Sequence, residues 1–239
     1  MPPFRILLSQ FIARIRASPG LAVLVVLAAA AVFAFVQLVE EVLEGESRAF
    51  DEWVLLALRS PGDPADPIGP WWVQRMFVDI TSLGGTTVVT LITIAVLGYL
   101  IIDGKRAAAL LVLVSVAGGA GLSSLLKFGF ERPRPDLVAH LVDERTLSFP
   151  SGHAMVSAVI YLTLGALLAQ VQGSTRLKAY ILGVAVILTL LIGISRVYLG
   201  VHWPTDVVAG WCAGTAWAIG CWVIAAWLQA EGKIEGEGH

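Results

Sequence analysis

Two histidines, three cations and one aspartate fall at spacings suited to holding an anion and attacking it. Lys127 and Arg134 close an apolar segment, and Pro133 and Pro135 bracket Arg134. That bracketing forces extended backbone and turns the guanidinium away from the preceding helix. Pro150-Ser151-Gly152-His153 reads as a helix start with Ser151 as N-cap. Gly152 allows another group close to the backbone, and the free N–H groups of a helix start form an anion site. His153 stands at its mouth, where it can donate a proton. In His202-Trp-Pro-Thr-Asp206, Pro204 suits a first helical turn, which puts His202 and Asp206 on one helical face. A carboxylate bonded to one imidazole nitrogen fixes the tautomer and leaves the other nitrogen as a nucleophile. Arg196, six residues upstream, can grip phosphate oxygens in bidentate fashion.

Each residue alone has a plainer reading. Lys127 and Arg134 also fit cations snorkelling to headgroups, and Arg132 fits that description better than either. His153 also fits a hydrogen-bonded interfacial residue, and Asp206 a helix-opening acid that favours the dipole. The set is more telling than its members. All its residues lie at the ends of apolar segments, with Asp206 and Glu131 as the nearby acids. Ionisable groups at membrane depth are costly and point to function. The cluster needs an anion, and phosphate is the natural one. A metal is the weaker reading of the two histidines, because no His-x-x-x-His or carboxylate pair is present and crowded cations repel one. No cofactor is implied. No basic run interleaved with aromatics suggests nucleic acid.

The elements that position these groups are set by a chain of 239 residues, 57% hydrophobic and 14% charged, with mean hydropathy +0.80. Soluble domains carry about 25% charged residues, so the bilayer is the solvent this composition implies. Six apolar segments approach the roughly 20 residues a spanning helix needs: about 21–39, 84–102, 107–126, 151–171, 179–194 and 207–228. The expected fold is an all-α bundle of six transmembrane helices in a single membrane domain, 1–239. The first segment is expected to be retained rather than cleaved as a signal. Cys212 and Cys221, nine residues apart in the last segment, would stand about 13 Å apart, beyond disulfide reach. The Gly-rich 117–121 stretch suits close helix packing.

Between the first and second spans, residues 40–83 hold nine acids and three arginines. Phe50, Trp53, Val54, Ala57 and Leu58 recur at helical spacing, predicting an interfacial helix that Ser60-Pro-Gly-Asp-Pro ends. A second short helix, about 70–78, carries Trp71 and Trp72. This region either packs on the membrane surface or forms a lid that admits a lipid. The tail 231–239 is expected to be disordered.

Lys and Arg in short loops set the orientation. Arg5, Arg14 and Arg16, then Lys105 and Arg106, then Arg176 and Lys178 mark the cytoplasmic side. Both termini are therefore expected inside, and the histidine-bearing loops outside, in a cell inner membrane.

Lys127-x6-Arg134-Pro135, Pro150-Ser151-Gly152-His153 and Ser195-Arg196-x5-His202-x3-Asp206 resemble, position for position, the three signature motifs of the type 2 phosphatidic-acid phosphatase superfamily. Asp79-Ile-Thr-Ser-Leu-Gly is similar to a stretch of its bacterial members. The resemblance implies a six-helix membrane fold with an outer-surface site and metal-independent hydrolysis of a lipid phosphate. It implies that His202 attacks phosphorus and forms a phosphohistidine, and that Asp206 orients it. It implies that His153 protonates the leaving oxygen and then activates water. Lys127, Arg134 and Arg196 would hold the phosphate oxygens, with Ser151 and the Gly152 amide completing the cradle. Phosphatidic acid, phosphatidylglycerol phosphate and undecaprenyl pyrophosphate all remain open as substrates. So does a lipid A phosphatase or phosphotransferase. A non-catalytic, transporter-like anion binder is the reading from a different class. It predicts charges inside the spans, and the six segments have none in their interiors.

Overall fold

The computed structural model describes residues 18–144 and 146–230. The basic stretch holding Arg5, Arg14 and Arg16 and the tail 231–239 lie outside the described residues. Helix α1, Pro19–Glu44, opens on a proline in its first turn. It closes at Gly45, whose φ of 78° lets its N–H turn back to the Glu41 carbonyl. Helix α2, Arg48–Ala57, follows, and then a two-stranded antiparallel hairpin of β1, Arg59–Ser60, and β2, Asp63–Pro67. Helices α3, Trp71–Ser82, and α4, Thr86–Ile102, meet at a bend of 45°. Helices α5, Arg106–Phe130, α6, Gly152–Gln170, α7, Thr175–Tyr198, and α8, Pro204–Ala230, complete the described chain.

Among the described residues, α1, α5, α6, α7 and α8 are each long and apolar enough to cross a bilayer, and α3 and α4, taken together as one broken span, pass the same test as a sixth. The six-span helical architecture, with short helices between the first and second spans, is the one the sequence predicts. Four spans are longer than expected, the third and sixth by several residues at their ends and the first and fifth by more. The first runs on to Glu44, because Glu40 and Glu41 extend the helix beyond its apolar part. The fifth covers Thr175–Tyr198 rather than 179–194, taking in Arg176 and Lys178 at one end and Ser195 and Arg196 at the other. The hairpin was not foreseen, because its Asp- and Pro-rich strands lack the β-branched pattern of a strand. It is held by the Ser60 hydroxyl donating to Asp66 Oδ2 at 2.6 Å and Ile68 N–H to the Leu58 carbonyl at 3.1 Å.

Helix α6 lies at the centre. Its Val159 and Ile160 pack with Val89 of α4 and Val112 and Val116 of α5. Close approach of α5 to α8 depends on the glycine stretch: a Cβ on Gly118 would lie 2.5 Å from the Trp217 ring. Outward-facing Phe33, Ile94, Ile102 and Phe128 are exposed, as side chains facing lipid must be. A second cluster, Leu55, Ala154, Val197, Trp203 and Val207, joins α2 to the ends of α6, α7 and α8. Those ends carry the predicted chemistry.

Candidate active site

The chain between α5 and α6 folds back over the helix ends. Ser148 N–H bonds the Arg132 carbonyl at 2.9 Å, and Leu141 N–H bonds that of Leu199 at 3.0 Å. Lys127, in the last turn of α5, donates to the Leu147 carbonyl at 2.7 Å and to Thr146 Oγ1 at 3.0 Å. Arg134 leaves the helix as its flanking prolines require. It donates from Nε to the Thr146 carbonyl at 2.7 Å and from Nη1 to the Val201 carbonyl at 2.6 Å. Ser151 caps α6, its hydroxyl accepting from Ala154 N–H at 3.5 Å. Its own N–H bonds the Asp206 carbonyl at 2.9 Å, which ties the start of α6 to that of α8. The turn that delivers His202 depends on Gly200 at φ 76°, where a Cβ would fall 2.6 Å from the Ala139 carbonyl oxygen.

His202 is 1% exposed. The expectation that it shares a helical face with Asp206 is corrected: α8 starts at Pro204, so His202 lies in the loop before it. The two still meet across the helix start, with Nδ1 at 3.4 Å from Asp206 Oδ2 and 3.3 Å from Ser148 Oγ. On the other side of the ring, Arg134 Nη1 lies 3.2 Å from Nε2. A guanidinium can only donate, so Nε2 presents its lone pair and Nδ1 carries the proton. The unprotonated nitrogen thus faces the cations and the protonated one faces Asp206.

Burial, followed by Arg134, Arg196 and Lys127, holds the His202 pKa well below its ordinary 6.5. The unfolded chain takes up a proton near 6.5 that the folded ring resists. This group therefore has no pH effect on stability above that value and destabilises the fold as pH drops below it. We expect nitrogen NMR of labelled protein at about pH 6 to show a neutral His202 with its proton on Nδ1. A doubly protonated ring at that pH contradicts this tautomer.

Asp206 is fully buried, and both of its oxygens accept hydrogen bonds. Oδ2 accepts from the Ser148 hydroxyl at 2.5 Å and Trp203 N–H at 3.0 Å, and Oδ1 from Arg132 Nη1 at 2.6 Å. The snorkelling reading of Arg132 is therefore wrong. Its side chain is 12% exposed and bridges Asp206 to Asp51 Oδ2 at 2.7 Å. Glu131, taken from the sequence as a nearby acid, is exposed at the α5 terminus. Asp51, Asp206 and Glu144 are carboxylates that face the cations.

Arg196 is 1% exposed, in the last turn of α7. Its Nη1 donates to Thr81 Oγ1 at 2.9 Å and its Nη2 pairs with Glu144, while its buried Nε has no partner among the described residues. Glu144 also reaches Arg134 Nη2 at 3.5 Å and His153 Nδ1 at 3.8 Å. A carboxylate thus sits on the two arginines and beside the histidine at the mouth of α6. His153 is flanked by the α3–α4 bend, where a Cβ on Gly85 would lie 3.8 Å from Nε2. A Cβ on Gly152 would lie 3.9 Å from Lys127 Nζ, so the α6 N-terminus faces the lysine.

All eight residues singled out from the sequence thus border one region at the ends of α5, α6, α7 and α8. Sequence reading missed Asp51, Thr81, Glu144 and Ser148. Only Thr81 left a signal, in the Asp79-Ile-Thr-Ser-Leu-Gly stretch.

Comparison with known proteins gives a concordant result. The family model described as the PAP2 superfamily matches residues 108–230. Phosphatidylglycerophosphatase B of Bacillus subtilis is 34% identical over 144 residues, covering 60% of this chain and 70% of that protein. An undecaprenyl-diphosphatase of Sulfolobus acidocaldarius is 38% identical over 116 residues, 48% of each chain. Among solved structures, a transmembrane PAP2-type phosphatidylglycerolphosphate phosphatase from Bacillus subtilis superposes with a TM-score of 0.76. It is 27% identical, and the match covers 88% of this chain and 98% of that one.

Proposed function

We propose that this chain, which belongs to the PAP2 superfamily, hydrolyses the phosphate monoester or pyrophosphate of a membrane lipid through a phosphohistidine on His202, without a metal ion. The observation that carries this reading is the lone pair of His202 Nε2 facing Arg134 on the cationic side of the ring, 3.2 Å from Nη1. Phosphoryl transfer needs in-line positioning and charge neutralisation above all. Lys127, Arg134 and Arg196 supply both to the phosphate oxygens, with the Ser151 hydroxyl and the Gly152 amide at the start of α6. The unpartnered Nε of Arg196 is a donor awaiting an acceptor.

In the first step His202 Nε2 attacks phosphorus, the bond to the lipid oxygen breaks, and His153 gives that oxygen its proton. Asp206 stabilises the charge that appears on the ring. In the second step His153 takes a proton from water, whose oxygen attacks the phosphohistidine. Inorganic phosphate leaves and His202 is restored. By the positive-inside pattern of the loops, the site faces the outer side of the cell membrane, with both termini in the cytoplasm. The similarity to phosphatidylglycerophosphatase B makes phosphatidylglycerol phosphate the first substrate to test. The undecaprenyl-diphosphatase similarity makes a polyprenyl pyrophosphate the second.

The test is phosphate release by purified protein in detergent with excess chelator, from phosphatidic acid, phosphatidylglycerol phosphate and undecaprenyl pyrophosphate. Release from at least one of them, unaffected by chelator, is the expected result. No release from any, or activity that only a divalent metal restores, contradicts the reading.

The cradle also bears on Glu144. Its carboxylate holds Arg196 and lies near Arg134, so an arriving phosphate competes with it. Glu144→Gln removes that competing charge, and inorganic phosphate is expected to inhibit the variant about tenfold more tightly, the effect of about 1.4 kcal/mol. Weaker inhibition would show instead that Glu144 organises the arginines for phosphate.

A further inference from the structure

Helix α2 precedes the segment that matches the family model, residues 108–230, and contributes a buried charge to the site. Asp51, in its first turn, is fully buried. Its Oδ1 accepts from Thr205 N–H at 2.9 Å, and its Oδ2 from Thr205 Oγ1 at 2.7 Å and Arg132 Nη2 at 2.7 Å. Thr205 is the second residue of α8, so its N–H is one that no intrahelical carbonyl can satisfy. Asp51 caps α8 from another helix. Arg132 completes a closed ring, donating from Nη1 to Thr205 Oγ1 at 2.8 Å and to Asp206 Oδ1 at 2.6 Å.

The ring has a clear electrostatic logic. Arg132 is shared by two buried carboxylates, and each fixes one of its terminal nitrogens. With Asp51 present, the guanidinium plane is pinned from both sides, and Asp206 meets a donor of fixed direction. With Asp51 neutral, Arg132 keeps Asp206 and the Thr205 hydroxyl through Nη1 but loses the charge that fixes Nη2. The α8 N-terminus, which carries Asp206, loses the negative charge of its cap at the same time. Packing reinforces the arrangement. Leu55 of α2 is fully buried in the cluster with Ala154, Trp203 and Val207, and the guanidinium groups of Arg48 and Arg132 lie over the Trp203 ring at 4.8 and 5.5 Å. Trp203 directly follows His202, and its indole N–H is anchored on the Pro133 carbonyl at 3.0 Å.

We propose that Asp51 is a positioning residue of the hydrolytic site, acting through Arg132 and Thr205 to fix Asp206 and, through it, the His202 imidazole. The proposal rests on the His202 reading above. It makes the stretch between the first and second spans a working part of the site rather than only membrane-surface packing. Outer-shell partners of this kind commonly change activity by about 10–100-fold when altered.

The experiment is steady-state kinetics of full-length Asp51→Asn in detergent, on the lipid phosphate that the wild-type protein hydrolyses. Folding is checked by monodisperse elution. We expect kcat to fall about 10–100-fold with KM within about twofold of wild type. On an Arg132→Gln background the same change should lower kcat by a clearly smaller factor, because the path through Arg132 is already cut and only the one through Thr205 remains. A folded Asp51→Asn with wild-type kcat overturns the proposal. So does an effect on KM alone, or a fall of the same factor with and without Arg132. If Asp51→Asn does not fold, the double variant Asp51→Asn/Arg132→Gln decides, since it removes both buried charges together. Near wild-type kcat there also overturns the proposal. His202→Asn runs alongside. A folded His202→Asn that keeps its activity sinks the hydrolytic reading and this proposal with it, whereas its loss with Asp51→Asn unaffected sinks this proposal alone.

Discussion

His202→Asn should lower kcat by about four orders of magnitude or more while leaving the protein folded. Loss of an activated nucleophile costs about that much in enzymes whose remaining groups still bind the transition state. The size follows from where His202 sits. Its Nε2 is the only nitrogen lone pair that the described structure presents to Arg134, and Ser148 and Asp206 hold the opposite side of the ring. Asparagine keeps polarity and approximate volume in a buried loop position, so the fold should tolerate it. The check is phosphate release per folded protein, measured over hours to reach the low rate. A residual rate within about tenfold of wild type would show that another group attacks phosphorus, or that water does so directly.

Asp206→Asn should cost about three to four orders of magnitude in kcat with little change in KM, by the same tautomer argument that applies to other histidine–aspartate pairs. The introduced amide would keep its carbonyl oxygen for Arg132, which donates to Asp206 Oδ1 at 2.6 Å, and so turn its NH2 toward Ser148 and His202. A donor facing Nδ1 makes that nitrogen the acceptor and moves the ring proton to Nε2, where it blocks attack. Arg134 would then meet an N–H instead of a lone pair, at a contact now 3.2 Å long. The measurement is again kcat and KM, with the tautomer read by nitrogen NMR. Loss of activity with the proton still on Nδ1 would assign Asp206 a charge role rather than an orienting one.

The sequence reveals most of the site because its local chemistry is self-contained. Pro204 fixes a helix start, Ser151 fixes another, and Pro133 and Pro135 fix the exit of Arg134, all from neighbours close in the chain. What is hidden depends on contacts between distant elements. Arg132 has the composition and position of a surface cation, and only Asp51, 81 residues away, turns it into a buried bridge. Glu144 lies in a loop with no periodic pattern, so nothing local marks it as the carboxylate resting on Arg196. Ser148 looks like any loop serine until Asp206, 58 residues later, accepts its hydrogen bond at 2.5 Å. The spans follow a similar rule. Their apolar interiors are legible, but their ends are not, because α7 carries Arg176, Lys178 and Arg196 on helical backbone that hydropathy alone assigns to loops.

The proposed reaction turns on a covalent phosphohistidine, and the stereochemical course at phosphorus tests that most directly. A lipid phosphorothioate monoester made chiral at phosphorus with sulfur and two oxygen isotopes would be hydrolysed in water carrying the third oxygen isotope. The configuration of the released inorganic thiophosphate is then determined. Attack by His202 followed by attack of water is two in-line displacements, each inverting phosphorus, so net retention is the expected result. Net inversion would mean that water attacks the lipid phosphate in a single step, and His202 could not be the nucleophile.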